Sequence, residues 1–182
     1  MEIFNARCHD SGQPTTIENA KLFKEDLLKR NVKNSTALNL QSCRLGINAM
    51  IALSNSISPT PPRKPPVERL NLADNHITDY GMHSVKNILQ VCGSKLTHLN
   101  LASNMISGQG MESFIDDLIT NTSLKHLDLG VLESSMRKNS LGIQGAVCLA
   151  ALLVRNKTLE SLSVNDNDFG SDGGEAIGIA LA

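Results

Sequence analysis

The stretch Val67-Glu68-Arg69-Leu70-Asn71-Leu72-Ala73-Asp74-Asn75-His76-Ile77-Thr78-Asp79-Tyr80-Gly81 decides the fold. Apolar residues Val67, Leu70, Leu72 and Ile77 surround one Asn, and a Gly stands four places beyond the last of them. The same order recurs at Leu96, Leu99, Leu101, Asn104, Ile106 and Gly110, and again at Leu159, Leu162, Val164, Asn167, Phe169 and Gly173. Two further copies are altered. Ser35, Leu38, Leu40, Cys43, Leu45 and Ala49 begin on a polar residue and end on Ala. Leu124, Leu127 and Leu129 keep the apolar core, but Asn139, Leu141 and Gly145 arrive seven residues late. The starts at 35, 67, 96, 124 and 159 are 32, 29, 28 and 35 residues apart. Against a 28-residue unit, the excess falls in the proline segment 58–66 and in 131–138. Self-similarity at such a period is the signature of a solenoid.

Each copy changes its apolar period part way along. The LxLxL core has the two-residue period of a strand. Leu53, Val85, Phe114, Leu149 and Ile177 stand four past the small position, and Ile57, Leu89, Leu118, Leu153 and Leu181 stand eight past it. Residues four apart share a helix face, so the second half of each unit reads as an amphipathic helix. No unit can bury its apolar face alone; neighbours stacked in parallel complete the core.

The pattern resembles the leucine-rich repeat family, in its ribonuclease-inhibitor-like class. The resemblance covers about residues 35–182. It implies an α/β fold: a curved, right-handed leucine-rich repeat solenoid with a parallel sheet on the concave side and helices on the convex side. It also implies that Cys43, Asn75, Asn104, Asn139 and Asn167 turn inward to satisfy loop backbone groups out of reach of water.

Residues 1–34 are expected to cap this array. Within them 15–30 reads as a helix, with a Thr15/Glu18 capping box and an apolar face of Leu22, Phe23 and Leu27. Ile3–Arg7 reads as a degenerate zeroth strand. The spacing Phe4, Cys8, Gly12, Pro14 is similar to segments that lead into the repeats of some centrosomal and flagellar leucine-rich proteins. At the other end Gly173–Ala182 stops within a helical pattern, without a Gly or Asn cap or a polar closing unit. Solenoids need polar terminal caps, so the expectation is a fragment cut after the fifth helix; the alternative is self-association through that open end.

Composition narrows the function. The chain has 182 residues, 17 Lys+Arg against 18 Asp+Glu, and 3% aromatic residues without Trp. A net charge of −1 argues against bulk electrostatic binding of nucleic acid or of an anionic membrane. No apolar run reaches the length of a membrane span, and the start lacks the build of a secretory signal. Cys8, Cys43, Cys92 and Cys148 lie far apart, which suits a reducing cytosol rather than a disulfide scaffold or zinc site. No GxSxG, HExxH, phosphate loop or Cys–His motif is present. The expectation is a non-enzymatic protein-binding module without cofactor or metal.

The concave face is the natural surface, because alternate strand residues point away from the core there. One row is Ala37, Arg69, His98, His126 and Ser161; its neighbour is Asn39, Asn71, Asn100, Asp128 and Ser163. Arg69, Asn71, Asp74, His98, Asn100, His126 and Asp128 are therefore the candidate partner contacts. His98 and His126 should be direct neighbours with Asp128 alongside, a donor set that a metal can use. The simpler reading is two solvated histidines. Pro59, Pro62 and Lys64 fit the PxxPx(K/R) ligand shape, and Ser58-Pro59 and Thr60-Pro61 fit proline-directed phosphorylation; a stiff spacer is the plainer alternative. Met136, Arg137 and Lys138 in the insert 131–138 are candidate loop contacts, against a neutral mobile loop. Asn34, Asn121 and Asn156 begin N-x-S/T triplets and read as turn residues.

The partner is expected to be another protein, and the place the cytoplasm, with the cytoskeleton, centrosome or cilium as finer addresses. The alternative function is regulation of a small GTPase, because Ran GTPase-activating proteins share this repeat class; they typically carry more repeats and an acidic tail.

Overall fold

The computed structural model describes residues 2–31, 35–57 and 67–182. Two helices, α1 (Glu2–Ser11) and α2 (Ile17–Arg30), precede five strand–helix units. These are β1 (Ala37–Asn39) with α3 (Ile47–Ser56), β2 (Arg69–Asn71) with α4 (Thr78–Cys92), and β3 (His98–Asn100) with α5 (Gly108–Thr120). β4 (His126–Asp128) with α6 (Gly142–Arg155) and β5 (Ser161–Ser163) with α7 (Gly170–Leu181) complete the series. The strands form one parallel sheet in chain order. Leu38, Leu70, Leu99, Leu127 and Leu162 are in register across it. Strand and helix between them seal an apolar core that includes Leu72, Leu101, Leu129, Ile106, Phe114 and Leu149, all fully buried. Each such Leu or Phe contributes about 1.5–3 kcal/mol by leaving water.

The inward column satisfies loop backbone. Asn75, Asn104 and Asn139 are wholly buried, and Asn167 nearly so. Asn139 accepts from the N–H groups of Asn104 (2.9 Å) and Ile106 (3.0 Å) and donates to the carbonyls of Leu101 (3.0 Å) and Leu129 (2.8 Å), stitching two units together. Asn75 donates to the carbonyls of Leu40 and Leu72 while accepting from Leu45 N–H at 2.9 Å. The small column lets helices approach: a Cβ on Gly110 would collide with the Asp79 carboxylate. That carboxylate, on α4, caps α5 by accepting from Ser107 N–H (2.7 Å) and Ser107 Oγ (2.6 Å).

The N-terminal expectations need two corrections. Residues 3–7 are helical, within α1, and form no strand. Phe4 and Cys8 are both buried, and their four-residue spacing is a helix face. α1 packs on α3, and Asp10 caps it, accepting from Gly46, Asn48 and Ala49 N–H at 3.1, 3.1 and 2.9 Å. It thus serves α3 as α4 serves α5. The second helix begins at Ile17, not 15; its cap is Thr16, whose hydroxyl accepts from Asn19 N–H at 3.2 Å, and the Thr15/Glu18 box is not used. Phe23 and Leu27 pack on the core, whereas Leu22 is exposed. Just past α2, the Asn31 amide closes the free edge of β1: Oδ1 accepts from Asn39 N–H at 2.6 Å and Nδ2 donates to Asn39 O at 3.0 Å. A single side chain imitates a neighbouring strand.

Candidate functional site

The site is the sheet's outward face, an open groove of about 390 Å³ floored by the strands. Its register lines up Ala37, Arg69, His98, His126 and Ser161 in one row, and Asn39, Asn71, Asn100, Asp128 and Ser163 in the next.

The second row is occupied with the backbone. Asn39, Asn71, Asn100 and Asp128 each turn a side-chain oxygen onto the N–H two residues on, at Gln41 (3.1 Å), Ala73 (3.0 Å), Ala102 (2.9 Å) and Gly130 (3.0 Å). These bonds steer the chain out of each strand into the turn. Of the candidate contacts, Asn71, Asn100 and Asp128 therefore hold the strand ends while also lining the groove. A sequence signal for this duty exists: until Ser163 the row holds only Asn or Asp.

The first row has no such task. Among the described residues the Arg69 and His126 side chains make no hydrogen bond or ion pair. His98 and His126 stack, with ring centroids 4.1 Å apart and planes at 28°. His98 Nδ1 lies 2.8 Å from Thr97 Oγ1, which also lies 3.1 Å from Glu68 O. The Thr97 hydroxyl thus occupies Nδ1 and leaves Nε2 as the free ring position. Burial, then the Arg69 guanidinium and His126, hold His98 below the ordinary histidine range, with Glu160 opposing. Beside the row Lys125 and Glu160 pair at 2.7 Å. The two histidines and Asp128 do not come together as a metal site: among the described residues no group of three or more His, Cys, Asp or Glu gathers at ion-holding distance.

Asp74 stands at the rim. Its carboxylate accepts from Ser42 Oγ (2.7 Å), Ser135 Oγ and Arg137 (2.8 Å). Burial pushes this carboxyl up, but the hydrogen bonds from Ser135, Ser42 and Arg137 and the Arg137 charge outweigh it and hold it below the usual range. The insert 131–138 is thereby tied back from the fourth unit to the second, with Leu132 N–H on Ser103 Oγ at 2.9 Å on the way. Arg137 is spent on this tie, Met136 is fully exposed and Lys138 is exposed. Pro59, Pro62 and Lys64, with the two phosphorylation candidates, lie outside the described residues. So does Asn34; Asn121 and Asn156 are turn residues, each accepting from N–H groups two and three places on.

A left-handed backbone position was not read from the sequence. Ser42, Asp74, Ser103 and Asp166, each just before a column Cys or Asn, have φ of 54–56°. The column of short polar residues was the available signal, since these tolerate that conformation best after Gly.

Comparison with known proteins agrees with this architecture. A family model described as "Leucine Rich repeat" matches residues 64–85, 94–114 and 155–178. "NACHT, LRR and PYD domains-containing protein 5" of Bos taurus is 30% identical over 146 residues, 78% of this chain and 12% of that protein. Leiomodin-2 of Homo sapiens is 27% identical over 154 residues, 85% of this chain and 26% of that protein. The chain thus spans only about an eighth to a quarter of the curated relatives it matches. Among solved structures, one titled "Leiomodin-1 Actin-Binding Site 2 (ABS2)" shares the fold, with a TM-score of 0.60, 18% identity, and coverage of 92% of this chain and 89% of that one. Five in-register units, their inward asparagines and three matched repeats place the chain in the leucine-rich repeat family.

Proposed function

We propose that the chain is a protein-binding module that docks a cytoskeletal partner across its concave face and has no catalytic step of its own. The observation that carries this reading is the Arg69–His98–His126 row. It lies on a rigid parallel sheet, and its side chains are not needed to hold that sheet together. A preformed surface avoids the ordering cost that weakens binding by flexible segments. The cytoskeletal assignment is supported by the likeness to leiomodins, one of which carries an actin-binding site in its structure's title. Within the cytoplasm, the centrosome and cilium are the finer addresses we propose to examine first with a tagged chain.

The test is cosedimentation with filamentous actin. Saturable binding is expected, with Arg69→Glu weakening it about tenfold or more, which is about 1.4 kcal/mol. Loss of sedimentation altogether, or binding indifferent to Arg69→Glu, Asn71→Ala and His126→Glu, overturns the assignment. Acceleration of GTP hydrolysis by a purified small GTPase is the outcome that replaces scaffold binding with GTPase regulation.

A further inference from the structure

We propose that Arg69 and His98 together cradle an aspartate or glutamate side chain of the protein partner, and that docking this carboxylate draws a proton from solvent onto the His98 ring. The inference rests on the proposed concave-face binding and names the chemistry of what binds there.

Three observations carry it. Arg69 and His98 are register partners on adjacent strands, which lie about 4.8 Å apart, so one carboxylate can reach both. The guanidinium is a planar fork of donors without an ion-pair partner among the described residues, and carboxylate is the group that fits such a fork. His98 is already oriented: the Thr97 hydroxyl occupies Nδ1, so Nε2 is the ring position left for a ligand. Protonation converts that position into a charged donor. The proton comes from water and stays on the ring while the carboxylate is bound to Nε2–H, without any other covalent change.

The surroundings of His98 oppose a charge on its ring while the groove is empty. Arg69 faces it from β2 and His126 stacks on it from β4, both opposing a second positive charge. Glu160, beside β5, favours the charge but is paired with Lys125. Asp128, at the far end of β4, turns an oxygen to Gly130 N–H. Glu68 is hydrogen-bonded through its carboxylate to Thr36. Among the described residues no carboxylate forms an ion pair with Arg69 or His98; the partner brings one.

The probe is a blocked hexaglutamate peptide, with hexaglutamine as its uncharged control, titrated at about pH 7.5 and about pH 5.5 in low salt to limit screening. Hexaglutamate is expected to bind about fivefold more tightly at the lower pH, the effect over this range of raising one ring pKa by about one unit. Hexaglutamine should not bind. His98→Gln, which keeps a polar side chain of similar reach, should abolish the pH dependence, and Arg69→Gln should weaken binding at both values. In NMR spectra the His98 ring signals should titrate at higher pH when hexaglutamate is present. Absence of hexaglutamate binding, an unmoved His98 titration, a pH dependence that persists in His98→Gln, or capture of inorganic phosphate in place of the peptide overturns the proposal. Should the chain still sediment with actin in an Arg69-dependent way, the concave-face reading survives and only the carboxylate cradle falls.

Discussion

Two neighbouring rows on one sheet face are equally polar and equally placed, yet they carry different loads. Asn39, Asn71, Asn100 and Asp128 each hold the backbone two residues ahead, so the exits of β1, β2, β3 and β4 each depend on one of them. Arg69, His98 and His126, one row over, hold little beyond the Thr97 contact and a ring stack. The difference teaches that a solenoid's concave face is not a uniform binding surface. Part of it is the wall of the turn, and only the part free of backbone duties can be spent on a partner without cost to the fold.

The sharpest way to break this division is to extend it inward. Asn139 lies one step deeper than either row and makes four backbone hydrogen bonds across two units while fully buried. Asn139→Ala should cost about 3 kcal/mol or more, because each abandoned buried group costs about 1–3 kcal/mol. Denaturant unfolding measures it. Next comes the row-to-row comparison itself. Asn100→Ala should cost about 1–1.5 kcal/mol through the orphaned Ala102 N–H, whereas His126→Ala should cost less than about 0.5 kcal/mol. Equal losses in the two variants would erase the distinction.

Acidification separates the rows by a different measure. His98 is held below its unfolded pKa, as is His76 by burial, Arg137 and Arg44 against the opposing charges of Asp74 and Asp10. The unfolded chain therefore binds more protons near and below neutrality. Stability is present above about pH 6.5 and is lost as pH falls through the folded values. The melting temperature should drop between about pH 7.5 and about pH 5.5, and His98→Gln should drop less than the parent. An Asn100 variant should retain the full drop.

How much of this was legible is itself instructive. The strands around Leu70, Leu99, Leu127 and Leu162 followed from period alone, and the His98–His126 contact followed from placing equal positions of adjacent units side by side. These are local patterns multiplied by a repeat. The bond between Asp74 and Arg137 was not legible, since the path of the insert over 63 residues of sequence separation is written in no period. Helix α1 was misread because Ile3–Arg7 was matched to a strand template, although Phe4 and Cys8 already had helical spacing. The backbone duty of Asn71 and Asn100 was hidden for another reason: an Asn pointing to solvent and an Asn folded onto its own turn look the same in one dimension.

The smallest effect tests whether a residue's load, rather than its backbone, decides its worth. Asp74 and Asp166 hold the same turn position with φ of 54° and 56°, a conformation that disfavours any side chain with a Cβ. Asp74→Gly would relieve that strain but release Ser42, Ser135 and Arg137, freeing the insert; a net loss of about 1 kcal/mol is expected. Asp166 is exposed and makes one long contact with Asn165 at 3.4 Å, so Asp166→Gly has little to lose and should gain about 0.5 kcal/mol. Opposite signs at one geometry, read as shifts in denaturant midpoint with unchanged slope, mean that the side chain's partners set the balance. The same sign at both positions would mean that backbone strain dominates and that the tie between Asp74 and the insert is energetically empty.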